Sequence, residues 1–421
     1  MSQYETEAIA EGFLALGFRR LDFQEVCDVY VINTCTVTAE SDRKSRQIIR
    51  RAISKNPRAI VCVVGCYSQL SPEAVAAIEG VSIVLGTEDK MSLPERALSI
   101  LRSGACEKYV RTTDVDLAEF EPMTVRGAPR TRAYVKIEDG CESKCTYCAI
   151  SKARGRVRSK APKDVISEVR ALSESGTREV VLVGIEIGSY GKDLGGGVTL
   201  ASLIRELSRE RCAERIRLGS LAPELMSDEL ISAICESGIV APHFHLSIQS
   251  GSDAVLHRMK RRYTRERVLT VVKKIKEKIP RATFTTDLMV GFPMETEEDH
   301  CLSESIAEEI GLLDAHVFQY SRREGTPAAT YDGQIPEPEK KSRSERLISL
   351  VERVRDRVLS DIVESGDELS AICESRCNNC FTGHTDTYVE VRFESELDLS
   401  GEIVSLIPVS HKDGIVYAKL K

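Results

Sequence analysis

The chain has 421 residues, with 58 Lys and Arg against 65 Asp and Glu. The resulting net charge of −7 sets aside a nucleic-acid partner held by bulk charge and leaves only local basic clusters as candidates. A hydrophobic content of 42% supports ordinary cores, no apolar run is long enough to span a membrane, and the polar start Met1-Ser-Gln-Tyr-Glu-Thr-Glu does not read as a secretion signal. Fourteen cysteines in that setting point to the reducing cytoplasm and to metal chemistry rather than disulfides.

The length predicts two or three domains. Residues 1–105 alternate helix and strand. Glu5 to Leu16 has an amphipathic helical pattern, Arg43 to Ser54 a basic one, and Ser71-Pro72 opens another helix. Val29 to Asn33, Ile60 to Val64 and Val81 to Leu85 are apolar runs of strand length, so this part is a small α/β layer domain with a mostly parallel sheet. Cys35 and Cys66 each follow a strand at its C-terminal end, where sites form in such sheets. Residues 106–131, with Pro122, Gly127 and Pro129, read as a linker.

Residues 132–335 hold six strand candidates separated by helical segments: Ala133 to Ile137, Glu179 to Val183, Arg215 to Ser220, His243 to Ile248, Thr283 to Val290 and Ala315 to Tyr320. Six βα units predict a partial (β/α)6 TIM-type barrel with its site at the C-terminal ends of the strands. A charged connecting helix is expected over 336–363. Residues 364–421 alternate apolar and polar positions between turns, which predicts a small antiparallel β-barrel.

Directly after the first barrel strand comes Gly140-Cys-Glu-Ser-Lys-Cys-Thr-Tyr-Cys, placing Cys141, Cys145 and Cys148 in a C-x3-C-x2-C run. Three thiolates on one tight loop suit three irons of a [4Fe–4S] cluster and leave the fourth iron open. The competing zinc-knuckle reading needs a second Cys or His pair, and none lies near Cys148. The same spacing recurs at Cys373, Cys377 and Cys380 without a following βα barrel; a metal site and three unrelated thiols on a hairpin both remain open there. Cys106, Cys212, Cys235 and Cys301 read as incidental or packed thiols.

Three basic runs stand out: Arg43, Lys44, Arg46, Arg50 and Arg51; Arg154, Arg156, Arg158 and Lys160; and Arg258 to Arg265. Each is a solvated helix face or part of a phosphate-contacting surface. At barrel strand ends, Gly184, Glu186, Gln249, Ser250 and Gly291 are candidate cofactor contacts. A glycine admits a ligand to the backbone, and Glu186, Gln249 and Ser250 offer hydrogen bonds, although tight βα turns select similar residues.

The thiol loop, with Tyr147 before its third cysteine, resembles that of radical S-adenosylmethionine (SAM) enzymes. Cys35 in Val31-Ile-Asn-Thr-Cys-Thr-Val-Thr and Cys66 in Val64-Gly-Cys-Tyr extend the resemblance, over nearly the whole chain, to radical-SAM methylthiotransferases. Gln3-Tyr-Glu-Thr-Glu-Ala, Asp42-Arg-Lys-Ser-Arg-Gln, Arg154-Gly-Arg-Val-Arg-Ser and Gly383-His-Thr-Asp-Thr-Tyr resemble the branch acting on N6-threonylcarbamoyladenosine beside the tRNA anticodon. The tail resembles a TRAM domain, an RNA-binding barrel, with His384 in a turn or against RNA.

The resemblance implies SAM, held near Tyr147 and the strand-end residues, and two [4Fe–4S] clusters. One cluster generates the 5′-deoxyadenosyl radical that abstracts the adenine C2 hydrogen. The second, on Cys35 and Cys66, supplies sulfur; a further SAM supplies the methyl group. Partners implied are tRNA, an electron donor and a sulfur source, with no membrane. The isopentenyladenosine and ribosomal-protein branches are alternatives that the quoted motifs disfavour. Others are a methyltransferase lacking sulfur insertion and a non-catalytic Fe–S RNA-binding protein, the latter disfavoured by the open iron position.

The family's second cluster has three cysteine ligands, of which two stand here in matching context. Its first cysteine lies ahead of the segment matched by Gln3-Tyr-Glu-Thr-Glu, on a first strand also missing from this sequence. A start assigned about ten residues late is expected. The alternatives are substitution by Cys27 or Cys62, and loss of sulfur insertion.

Overall fold

The computed structural model describes residues 1–36, 39–104, 108–127 and 131–421. The chain forms two compact units: Met1–Val125 with Glu138–Lys160 and Ser321–Ala329, and Arg126–Ile137 with Ala161–Tyr320 and Thr330–Lys421.

The first unit is built on a parallel sheet of β1 (Val29–Thr34), β2 (Ile60–Gly65), β3 (Val81–Leu85) and β4 (Tyr109–Arg111), in that order. β4 lies within the stretch read as linker, where three residues give too short a pattern to register as a strand. β2 and β3 are apolar along their length because both faces of a parallel sheet are covered. Helix Ser2–Ala15 places Glu5, Ile9 and Phe13 on one buried stripe, and Ile9 and Phe13 pack with Cys62, Val64, Ile83 and Leu85. Ile49 and Ala52 of helix Ala39–Lys55 cover the other face with Tyr30, Ile32 and Val63.

Strand β5 (Arg132–Lys136) belongs to the second unit; β6 (Glu138–Asp139) and β7 (Arg158–Ser159) pair antiparallel in the first and bracket residues 140–157. In the second unit, β5, β8 (Glu179–Val183) and β9 (Arg215–Leu218) form one parallel group, and β10 (His243–Gln249), β11 (Thr283–Val290) and β12 (Asp314–Gln319) another. Parallel bridges Ile216–Val240 and Leu221–Leu246 join them, so the six expected strands form the partial barrel. One apolar core, from Val135 and Leu182 through Leu246 to Leu288 and Ile306, runs between strands and helices.

Helix Glu337–Ser365 starts on prolines and ends at Gly366 in the left-handed region. The tail closes into a five-stranded barrel of β13 (Leu369–Cys377), β14 (Cys380–Thr385), β15 (Glu390–Glu394), β16 (Ile403–Lys412) and β17 (Ile415–Leu420). All pairs are antiparallel except β15 with β17. The strand β14, masked in sequence by Gly383 and polar residues, completes the closure.

A buried ionic cluster ties tail to barrel within this unit. Glu179, fully buried at the start of β8, meets Arg132, Arg215 and Arg217 from the neighbouring strands. Arg217 then donates to the Thr385 and Asp386 carbonyls at 3.1 and 3.2 Å, and Tyr388 stacks on His243 with ring centroids 4.6 Å apart.

Candidate active site: thiol loops and barrel strand ends

The loop carrying Cys141, Cys145 and Cys148 is held at both ends. Asp139 Oδ1 accepts from the Gly140 N–H at 2.8 Å, and the Cys141 N–H donates to the Gly155 carbonyl at 3.0 Å. Gly140 sits at φ +89°, and a Cβ there would collide with the Arg156 carbonyl, so only glycine lets the loop start this close to its return. The Cys148 N–H donates to the Cys145 carbonyl at 3.2 Å, and the Ile150 N–H donates to Cys148 Sγ at 3.4 Å. Cys145 is buried, and Cys141, Tyr147 and Cys148 are half-buried. Among the described residues no three side chains converge as ligands of a single ion would. A four-iron cluster asks for something else, because each thiolate takes its own iron. Three soft donors on one loop, one sulfur already accepting an amide N–H, fit that group.

Cys35 and Cys66 also come together by backbone geometry. Thr34 and Gly65 are register partners at the ends of β1 and β2, and each cysteine follows directly. Gly65 has φ +104°, and a Cβ on it would lie 2.5 Å from the Thr34 carbonyl oxygen. Cys35 is exposed and Cys66 buried. Among the described residues no third side chain completes a metal-ligating group with them. Cys27 precedes β1 at its opposite end, and Cys62 is packed inside β2, where burial pushes its thiol pKa up.

The basic candidates divide sharply. Arg43 and Lys44 are exposed, Arg43 paired to Glu40; Arg46 is half-buried with its guanidinium over the Tyr67 ring; Arg156 is exposed. Arg154 and Arg158 are not RNA contacts. Arg154 is 1% exposed and bonded to Glu5, Asp139 and Cys66; Arg158 is 3% exposed and bonded to Glu88 and the Arg154 carbonyl. Their charge is met by the buried Glu5 and Asp139 and the half-buried Glu88. In the third run, Arg258 pairs with Asp299, Arg261 donates to the Ser247 carbonyl and Arg265 pairs with Glu309. His384 is fixed by Glu374 at 2.8 Å and stacks on Tyr388.

In the second unit the strand-end candidates are distinct in character. Gly184 follows β8 and is partly exposed. Glu186, two residues on, accepts from the Ala222 N–H at 3.2 Å, and burial raises its pKa to about 7. Gln249 ends β10 where the pairing with β11 shifts register; its φ is +67° and its side-chain oxygen is buried without a hydrogen-bond partner. The strained backbone and an oxygen left without a partner among the described residues set Gln249 apart from an ordinary turn residue. Ser250 is buried, and its hydroxyl accepts from the Ser252 N–H. Gly291 has a local explanation: its φ is +71° and a Cβ would strike the Lys340 side chain.

Sequence reading missed Glu5, Lys90 and Asp139 around Arg154. A polar row crosses β10, β11 and β12. There Asp287 lies 3.2 Å from His245 Nε2 and 3.4 Å from His316 Nδ1. Burial alone would raise the Asp287 pKa; the two imidazoles lower it instead.

The Radical SAM superfamily model matches residues 135–301, and the model named Uncharacterized protein family UPF0004 matches residues 1–86. The Bacillus subtilis threonylcarbamoyladenosine tRNA methylthiotransferase MtaB is 40% identical over 414 residues, covering 96% of this chain and 91% of that protein. The Aquifex aeolicus protein of the same name is 36% identical, covering 97% of both. A tRNA-2-methylthio-N(6)-dimethylallyladenosine synthase of Acetivibrio thermocellus is 34% identical, covering 96% of this chain and 86% of that protein. Among solved structures, the radical SAM methyltransferase TsrM of Kitasatospora setae matches with a TM-score of 0.57 at 15% identity, over 77% of this chain and 73% of that one, a likeness of fold. With the thiol loop following the first of six partial-barrel strands in the chain, and relatives this similar along nearly their whole length, the chain belongs to the radical SAM methylthiotransferase family.

Proposed function

We propose that this protein adds a methylthio group to C2 of N6-threonylcarbamoyladenosine, next to the anticodon of tRNA. The observation that carries the reading is the loop of Cys141, Cys145 and Cys148 in a chain 40% identical to a protein named for that substrate. When bound, the cluster and SAM supply reductive cleavage of SAM, removal of the C2 hydrogen, and the methyl group. The three loop cysteines hold the cluster, with Tyr147 beside it. Glu186 accepts from the amino group of SAM, Gln249 and Ser250 offer neutral hydrogen bonds to its ribose or carboxylate, and Gly184 leaves the backbone open to it. Cys35 and Cys66 are ligands of the sulfur-donating cluster. The exposed Arg43, Lys44 and Arg156 contact RNA phosphates, and His384 shapes the tail barrel that grips the tRNA.

The domains follow from these roles: 1–105 for sulfur donation, 106–131 as connection, 132–335 for SAM chemistry, 336–363 as a connecting helix and 364–421 for RNA. A one-electron donor and a sulfur source complete the reaction. The work is cytoplasmic, in keeping with the absence, among the described residues, of any helix long and apolar enough to cross a membrane.

The test is nucleoside analysis by mass spectrometry after anaerobic incubation with SAM, a reductant and tRNA carrying either modified adenosine. The expected product is 2-methylthio-N6-threonylcarbamoyladenosine. A methylthio group on dimethylallyladenosine alone would move the protein to the other branch, and a bare methyl group would remove sulfur insertion.

A further inference from the structure

Along β10 and β11 the core takes alternate residues: Phe244, Leu246 and Ile248, then Phe284 and Leu288, with Ala315 and Val317 of β12 packed against them. His243, His245, Thr285, Asp287, His316 and Phe318 hold the intervening positions. They share the opposite face, which in this partial barrel is the interior. Barrel interiors are normally filled by bulky branched side chains. Here the lining is polar and left uncovered: the His245 and Asp287 side chains are 24% and 29% exposed, and that of His316 is 75% exposed. Among the described residues no strand pairs with the far edge of β12, so His316 stands at the open side of the barrel.

Asp287 orders this row. Burial opposes its ionisation, but His245 and His316 lower its pKa below the ordinary value. A carboxylate only accepts, so the two nitrogens facing it, His245 Nε2 at 3.2 Å and His316 Nδ1 at 3.4 Å, carry protons. In a neutral imidazole the other nitrogen then accepts. For His245 that acceptor is already engaged: the Thr285 hydroxyl donates to Nδ1 at 3.0 Å, and Thr285 Oγ1 accepts from His243 Nε2 at 2.9 Å. For His316 it is Nε2, at the far side of an exposed ring. That ring stacks on Phe318, with centroids 5.5 Å apart and 27° between the planes. The row thus ends in one oriented acceptor beside an aromatic face.

An aromatic face suits an unstacked RNA base, and an acceptor of fixed tautomer suits an O–H or N–H donor. The threonylcarbamoyl arm of adenosine carries a hydroxyl and an N–H beyond N6; a dimethylallyl arm carries neither. We propose that His316 is a specificity residue: its Nε2 accepts a hydrogen bond from the threonylcarbamoyl arm, and Asp287 is the positioning residue that holds the ring in the tautomer able to do so. The inference rests on the substrate proposed above and names the side chain that would tell it from the dimethylallyl form.

The measurement is the dissociation constant, by fluorescence anisotropy without SAM, of three anticodon stem-loops. They carry threonylcarbamoyladenosine, dimethylallyladenosine or plain adenosine next to the anticodon. The unaltered protein is expected to prefer the first by about tenfold, the worth of one hydrogen bond. H316F keeps a stacking ring, loses the acceptor and is expected to bind all three alike, with thermal stability unchanged at so exposed a position. H316Q, which retains an acceptor, is expected to keep part of the preference. D287N, whose amide also donates and so admits the other tautomer, is expected to weaken the preference without weakening the plain stem-loop. Equal binding of the three by the unaltered protein, or an equal loss of all three in H316F, would overturn the proposal. Methylthio product on threonylcarbamoyladenosine without this preference would strike the inference and leave the functional reading; the preference without that product would do the reverse.

Discussion

Glu186 Oε1 lies 3.2 Å from the Ala222 backbone nitrogen, an N–H that partly offsets the burial holding the carboxyl pKa near 7. The folded pKa stands above the ordinary carboxylate value, so the proton is bound more tightly in the folded state. The stability this contributes is complete below about pH 4.5 and is lost as pH rises through about 7. The contact with SAM proposed for Glu186 needs the opposite form, because only the carboxylate accepts from an amino group without donating. SAM affinity of the reconstituted protein is therefore expected to rise between pH 6 and pH 8. Glu186→Gln should flatten that profile and weaken binding about tenfold or more, the worth of a hydrogen bond to a charged group. Calorimetric titration at several pH values checks this; an unchanged slope in the variant would remove Glu186 from the site.

Glu179 faces three arginines from a fully buried position. Desolvation pushes its pKa up, and Arg217, Arg132 and Arg215 push it below the ordinary range by a larger amount. The stabilisation is present above the unfolded value near 4.5 and is lost as pH falls through the depressed folded value. Glu179→Gln leaves the buried Arg215 and Arg217 without their carboxylate and Arg132 with Glu374 alone, and is expected to cost about 3–5 kcal/mol. Because Arg217 and Arg215 also bind tail carbonyls and Ser370, the loss should appear as earlier protease cleavage around residues 364–390 in urea. Equal protection in variant and parent would show that the cluster does not hold the tail.

The SAM contact proposed for Gln249 can be tested apart from stability. The residue's left-handed backbone and partnerless amide oxygen both count against the fold, on the order of 1 kcal/mol or more together. Gln249→Gly should leave thermal stability equal or higher while SAM affinity falls. A drop in both would make the residue structural.

The elements most legible in the sequence were those set by local pattern. Apolar runs located β1, β2, β3 and the six barrel strands within a residue or two, and the thiol spacing marked its own loop. What stayed hidden depends on distant partners. Arg154 and Arg158 look like an RNA-facing run because the four basic residues stand within seven positions of one another; their partners Glu5 and Glu88 arrive from far upstream. Glu179 reads as the polar first residue of a strand until Arg215 and Arg217 are brought beside it by pairing. Gln249 lies in a turn-like sequence, and only its backbone and orphaned oxygen set it apart.

The second C-x3-C-x2-C run tests how far spacing alone can be trusted. Cys377 and Cys380 are register partners across the hairpin joining β13 and β14; Cys377 is exposed, whereas Cys373 is fully buried among Phe381, Val389 and Val391. Burial pushes the Cys373 thiol up to about 11, which opposes the thiolate a metal needs. Three thiols whose third member is committed to a core do not form a ligand set. Cys377→Ser with Cys380→Ser should leave reconstituted iron unchanged, while the C141A/C145A/C148A variant loses its radical-SAM share. Cys373→Ser, which puts a hydroxyl into an apolar core, should lower stability by about 1–3 kcal/mol without altering iron. Iron and zinc analysis beside urea titration distinguishes these outcomes, and metal lost from the Cys377/Cys380 double variant would restore the tail as a metal site.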